Sequence, residues 1–309
     1  MFSDLKCRWF GRWAGLGLGV FAAAAAEVPN FNALDLAGHN YELHRAGGRA
    51  VVLFFTGTGC PIARKCSPKL RELQGRFGAE GVSIWIVNSY AEDQPEDMRK
   101  ECGELNLWRF PYLPDAKQSL ALSFGVQRTA EVVAIDTKAW QVFYRGAMDD
   151  QFGEGAERAA PRNRFLERAI AEFLAGKPVT TPSTPGHGCL FAFAKVAEPP
   201  SYAEAVAPLL RQHCVECHRD GGIGPWSMSG YGRVKNYSHM IEEVLLTRRM
   251  PPWDANPDFG RFANAHTLSR EETQTLLRWL QGGAPRGEGP VRWRNPYRRS
   301  RTGRWENRM

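Results

Sequence analysis

Apolar residues along this chain fall into two kinds of pattern. Residues 50–55 and 82–87 run almost without a polar position, which predicts strands buried on both faces of a sheet. Residues 61–77 follow the first run and read as a helix opening on Pro61, a residue suited to a first turn. Further helices are predicted over 95–105, 118–124 and 164–174, the last with Leu166, Ala169, Ile170 and Phe173 on one face. Residues 131–135 and 141–144 read as paired strands. Alternation of this kind predicts an α/β fold with helices on both faces of the sheet.

A stretch rich in proline and small polar residues, 177–186, then breaks the alternation and reads as a linker. Beyond it the spacing is helical only. Tyr202, Val206, Leu209 and Leu210 line one helix, with Pro208 in its first turn. Residues 234–249 predict a second, which stops at Met250-Pro251-Pro252-Trp253. Ser269-Arg270-Glu271-Glu272 is a capping box opening a third, with Leu276, Leu277 and Leu280 inward and Gly282-Gly283-Ala284-Pro285 closing it. The chain thus divides into a leader (1–26), an α/β domain (27–177), a linker (178–199), a small all-α domain (200–288) and a tail (289–309).

The leader carries Lys6, Arg8 and Arg12, an apolar run over 13–21 and alanines up to Glu27, the pattern of a cleavable secretion signal. The run is short for a membrane span, so stable insertion after cleavage is not expected; an uncleaved anchor is the alternative. Net charge is +7, but the tail contributes +6 and the leader +2, leaving the body between them near −1. No basic face for nucleic acid is expected. The arginine-rich tail lacks apolar periodicity and reads as disordered.

The chain has 7 cysteines, and two of them fall in Cys214-Val215-Glu216-Cys217-His218. Two thiols at this spacing can add to the two vinyl groups of one porphyrin, which places the next histidine against the iron. The reading is a single covalent haem c. Half of a zinc site is the alternative, but a structural zinc needs four ligands, and only the isolated His239 and His266 follow. A plain disulfide is the third reading.

Cys60 stands at the junction of the first predicted strand and helix, where unpaired N–H groups and the helix dipole favour a thiolate. Arg64 and Lys65 in the first turn are expected to add to that effect. Ala63 occupies the place of a second cysteine in a C-x-x-C pair. Cys66 is nearly two helical turns away, too far for a bond, and Cys102 reads as a small buried hydrophobe. Cys189, in Gly186-His187-Gly188-Cys189, is the candidate resolving thiol; a structural bridge or an unpaired thiol is the alternative.

Together with Phe110-Pro111-Tyr112-Leu113-Pro114-Asp115 and Gly125-Val126-Gln127-Arg128-Thr129, the Cys60 region resembles the redoxin branch of the thioredoxin superfamily. Helix, C-x-x-C-H, methionine loop and terminal helix resemble a class I monohaem cytochrome c. Over about residues 29–287 the chain is similar to bacterial fusions of a redoxin domain to such a cytochrome. The resemblance implies haem c on Cys214 and Cys217, with His218 as proximal ligand supported by a carbonyl at Pro225. It implies Met250, 32 residues beyond His218, as distal ligand, with Met228, Met240 and His239 as rivals. The chain departs from the family at Gly57, where a peroxiredoxin has threonine, and at Ala130, where a cis-proline is usual. The Thr129–Ala130 bond is therefore expected to be trans.

Three functions follow from these residues. One is haem electron transfer coupled to a single redox thiol. The second is a thiol peroxidase or disulfide oxidoreductase that uses haem as electron partner. The third is a thioredoxin fold without chemistry that docks a cytochrome. The implied partners are redox proteins that donate or accept electrons, with a peroxide or thiol substrate, in the periplasm or outside the cell.

Overall fold

The computed structural model describes residues 27–153, 156–196, 199–252, 262 and 267–291, and the backbone of 297–299 and 305–307. The expected leader, Trp253 and His266 lie outside the described residues.

A short hairpin, β1 (Asn32–Leu34) and β2 (Asn40–Glu42), precedes the central strand β3 (Ala50–Thr56). There follow α1 (Pro61–Phe77), β4 (Val82–Asn88), α2 (Pro95–Glu104), β5 (Tyr112–Pro114) and α3 (Ser119–Ser123). Next come β6 (Glu131–Asp136), β7 (Gln141–Ala147), the small pair β8 (Phe152–Gly153) and β9 (Ala156–Glu157), and α4 (Phe165–Leu174). The main sheet runs β5-β4-β3-β6-β7, parallel from β5 to β3 and antiparallel from β3 to β7.

Every residue of β3 is buried, because its two faces meet two different cores. Val52 and Phe54 pack with Leu70 of α1, Met98 of α2, and Leu166 and Ile170 of α4. Val51, Leu53 and Phe55 pack with Phe31, Leu43, Leu120 and Phe124. This two-sided burial produced the unbroken apolar runs. The unexpected strands β1, β2, β5, β8 and β9 have two or three residues each, too few to show a period of two.

The second unit is helical: a wide turn over 202–206, then α5 (Ala207–His213), α6 (Tyr231–Asn236), α7 (Ser238–Leu246) and α8 (Arg270–Gln281). Pro208 sits in the first turn of α5. The turn before it is wound wider, the Val206 N–H reaching back five residues to the Ser201 carbonyl at 3.1 Å. The single helix expected over 234–249 is two helices that break at Tyr237, whose ring stacks on Trp226 at 4.1 Å. It also ends early. The Thr247 hydroxyl donates to the Glu243 carbonyl at 2.7 Å, and Arg248 has a positive φ of 55°. The capping box at Ser269 and Glu272 is complete in both directions.

Helix α8 lies between two cores. Leu276 and Leu280 join Tyr202, Leu210, Met228 and Trp279 in the core of the helical unit. Leu277 and Leu246 instead join the second face of the sheet. Gln274, fully buried, ties the seam: it donates to the Lys117 carbonyl (3.1 Å) and Gln118 (3.0 Å) and accepts from the Ala194 N–H (3.0 Å).

The segment 178–199 connects the units, but it is not a free tether. Thr184 N–H donates to the Arg145 carbonyl at 3.0 Å, and the Thr184 hydroxyl takes the Ala147 N–H and meets the Tyr144 hydroxyl at 2.8 Å. Phe191 is buried against Tyr90. Composition showed the prolines but not these bonds. The tail also departs from its expected disorder, since β10 (Tyr297–Arg299) pairs antiparallel with β11 (Trp305–Asn307). Strands of three residues are too short to show an apolar period.

Candidate functional site

Thr56 ends β3 and Pro61 starts α1, so Cys60 falls at the helix N-cap, where its Sγ accepts from the Ala63 N–H at 3.5 Å. The loop before it is held by two carboxylates. Asp93 accepts from the Thr58 N–H (2.7 Å), and Glu101 from the Gly59 N–H (2.6 Å). Burial pushes the Glu101 carboxyl above its ordinary range, with the Gly59 N–H and Arg64 pulling the other way.

Cys189 reaches the same place from the connecting segment. Its Sγ lies 3.5 Å from Cys60 Sγ. Thr129 organises the contact: its Oγ1 accepts from the Cys189 N–H (2.8 Å) and lies 3.0 Å from Cys60 Sγ. One lone pair is thus engaged, and the hydroxyl proton is left for the sulphur. Burial pushes the Cys60 thiol up, but hydrogen bonds from Thr129, the Ala63 N–H and Cys189 outweigh it and hold the thiol below its ordinary value. Cys189 is shifted the other way, by burial and then by its hydrogen bond to and repulsion from Cys60. The two thiols are therefore unequal. Of the two, Cys60 is the one held below its ordinary value.

Burial disfavours the thiolate at the other two thiols of this unit, pushing Cys66 up to about 12 and Cys102 to about 11. Arg64 and Lys65 do not assist Cys60 as expected; Arg64 pairs with Glu104 and Glu101, and Lys65 with Glu157. Their long side chains reach carboxylates on neighbouring elements instead. The Thr129–Ala130 bond is trans, as expected, and Ala130 has a positive φ of 59°.

In the helical unit, α5 ends at His213, and a turn carries Cys214, Cys217 and His218. Both the Cys217 and His218 N–H groups donate to the Cys214 carbonyl, at 3.2 and 2.9 Å. His218 is 8% exposed, and its Nδ1 lies 3.0 Å from the Trp226 carbonyl. The supporting carbonyl is thus one residue beyond the expected Pro225. With Nδ1–H donating there, Nε2 keeps its lone pair for a metal. A Cβ at Gly224 would stand 2.8 Å from His218 Nδ1, so only glycine lets the loop close over the ring. Burial pushes the Cys214 thiol up to about 12. Two thiols and one imidazole with its second nitrogen anchored are the donor set that haem c requires, and the residues fit it.

The three motif residues share one turn, and Met250 follows α7. Met250 is 38% exposed and lines a small cavity at the seam with Pro114, Lys117, Leu120 and Leu277. Met228 is buried in the helical core, and its N–H donates to the His218 carbonyl at 2.7 Å. Met240 is exposed, and His239 opens on a groove shared with His44 and Arg145. Among the described residues no three His, Cys, Asp or Glu side chains stand close enough to share one ion.

Sequence reasoning missed three residues of the Cys60 site. Thr129 stands in the sequence only as the end of the Gly125–Thr129 stretch and the residue before Ala130, with no sign of its contact with Cys60. Asp93 and Glu101 had no signal at all, since acids near or on a helix normally mark a solvated face.

Residues 24–147 match the AhpC/TSA family. A thiol-disulfide oxidoreductase ResA from Halalkalibacterium halodurans is 28% identical over 134 residues, which cover 43% of this chain and 74% of that protein. A ResA from Bacillus thuringiensis is 31% identical over 100 residues, 32% of this chain and 56% of that one. An uncharacterized conserved protein from Geobacillus kaustophilus superposes with a TM-score of 0.50 at 26% identity, covering 56% of this chain and 93% of its own. The first unit thus has a thioredoxin-like α/β fold and is similar to redoxin domains. No helix among the described residues is long and apolar enough to cross a membrane.

Proposed function

We propose that the chain is a redox protein with two centres: a thiol–disulfide oxidoreductase formed by Cys60 and Cys189, and a covalent haem c in the helical unit. The approach of the two sulphurs to 3.5 Å carries the reading. It supplies from a distant part of the chain the second thiol that Ala63 withholds from α1. The relatives named thiol-disulfide oxidoreductases match this chain over part of its length, which supports the same activity here.

The Cys60 thiolate attacks one sulphur of a partner disulfide, and one partner thiol leaves as a mixed disulfide forms. Cys189 then gives up its proton and attacks the Cys60 sulphur, releasing the second partner thiol. The partner gains two electrons and two protons, and the cysteine pair loses them. Closing the bond draws the sulphurs together by about 1.5 Å, a shift within reach of one side-chain rotation.

Cys214 and Cys217 would hold the haem, and His218 through Nε2 and Met250 would bind its iron. Bound there, it supplies a one-electron centre. The Trp226 carbonyl orients the His218 ring, and Gly224 keeps the space beside it clear. The C-x-x-C-H motif and the leader pattern support placement outside the cytoplasm.

The test is oxidation of the matured full-length protein followed by peptide mapping. A Cys60–Cys189 crosslink is expected, and Cys60 should alkylate faster than Cys66 or Cys102 near neutral pH. A Cys60 no more reactive than those two overturns the thiol centre, and zinc in place of haem overturns the second. Met250→Ala should abolish the weak far-red absorption of sulphur-ligated ferric haem. If the band survives, the ligand is one of its rivals.

A further inference from the structure

Cys60, the proposed nucleophile, is only 4% exposed, and the sulphur of the connecting segment stands against it. That segment lies along the backbone just before β6 as an added strand. Thr129 N–H donates to the Cys189 carbonyl (2.9 Å), and Phe191 N–H donates to the Gln127 carbonyl (2.8 Å). Arg128 and Leu190 pair antiparallel between them, and the Arg128 guanidinium donates to the Gly188 carbonyl at 3.0 Å. All of these bonds use main-chain groups of the added strand, which any extended polypeptide could offer. Its side chains contribute little besides Phe191: Leu190 is 58% exposed.

We propose that residues 188–191 act as an internal stand-in, occupying the Gln127–Thr129 backbone beside Cys60 and competing for it with the segment of any partner. The proposal rests on Cys60 being a redox thiol. The Thr129 N–H can serve one acceptor at a time, so an external segment must displace the internal one. The site also has a side-chain preference. A Cβ at Gly188 would fall 1.8 Å from the Thr129 carbonyl oxygen, so the residue before the bound cysteine must be glycine in this register.

The experiment uses the matured full-length chain carrying Cys189→Ser, which prevents internal resolution. The probe is a synthetic peptide of residues 187–192 with its cysteine activated as a mixed disulfide, and adducts at Cys60 are timed by mass spectrometry. Iodoacetamide is the small-reagent control. Adding Gly188→Val should expel the internal strand and raise the peptide rate about tenfold, a change worth roughly 1.4 kcal/mol, with less effect on iodoacetamide. Should Gly188→Val fail to fold by circular dichroism, Phe191→Ala loosens the same strand through its aromatic anchor and carries the same expectation. A peptide with valine before its cysteine should react more slowly than the glycine peptide. Peptide and iodoacetamide rates that move in step, or a peptide rate that does not rise, overturn the proposal. A Cys60 silent to both reagents in every variant overturns instead the thiol reading beneath it.

Discussion

Cys214, Cys217 and His218 stand within five consecutive residues, whereas Cys60 and Cys189 meet across 129 positions of chain. The first set is shaped by one turn, with both downstream N–H groups on the Cys214 carbonyl. The second needs a strand to place a helix start, a threonine from just before β6, and a connecting segment bonded along that stretch. A contiguous site can keep its shape while its surroundings loosen. A distributed site reports on the whole fold, because every element that frames it has to be in register.

Mutations can break this contrast or sharpen it. Cys214→Ala with Cys217→Ala should remove covalent haem completely on a denaturing gel and leave the Cys60–Cys189 crosslink intact. Loss of the crosslink as well would show that the two centres are not independent. Cys189→Ser should cut multiple-turnover disulfide exchange on the order of 100-fold, since resolution then waits for an external thiol, with haem content unchanged. Undiminished turnover would mean that Cys60 is resolved elsewhere.

Gln274→Leu addresses the seam that both centres share. It removes the bonds that Gln274 makes to the Ala194 N–H and to Gln118 and should cost about 2 kcal/mol in denaturant unfolding. The thiol pair should suffer more than the haem motif, because Ala194 continues the segment that carries Cys189. Equal sensitivity would erase the distinction. The smallest effect is expected from Thr129→Val. With one stabilising hydrogen bond gone, the Cys60 thiol should move up toward its ordinary value. Alkylation at pH 7 should then slow a few-fold, and the rates should converge at a pH above both midpoints. An unmoved midpoint would take Thr129 out of the site.

The same contrast explains what could be read in the sequence. The five-residue motif, the capping box at Ser269 and the strands at 50–55 and 82–87 were legible because each is local or is buried on both sides. Cys189 could be singled out only as a cysteine near glycines; its contact with Cys60 depends on backbone bonds that composition does not encode. Thr129, Asp93 and Glu101 look ordinary until the fold turns them toward the Cys60 loop. Helices α6 and α7 part at Tyr237, whose ring partner lies eleven residues away, a contact that no helical period could announce.

The segment bearing Cys189 is also the covalent leash between the two units. In the reduced protein, once its hydrogen bonds let go, the helical unit could swing from the end of the first domain near residue 177. A bond from Cys189 to Cys60 would move that root to residue 189 and remove twelve residues of slack, about 40 Å of extended reach. The state of one sulphur pair would then set how far the two units can part.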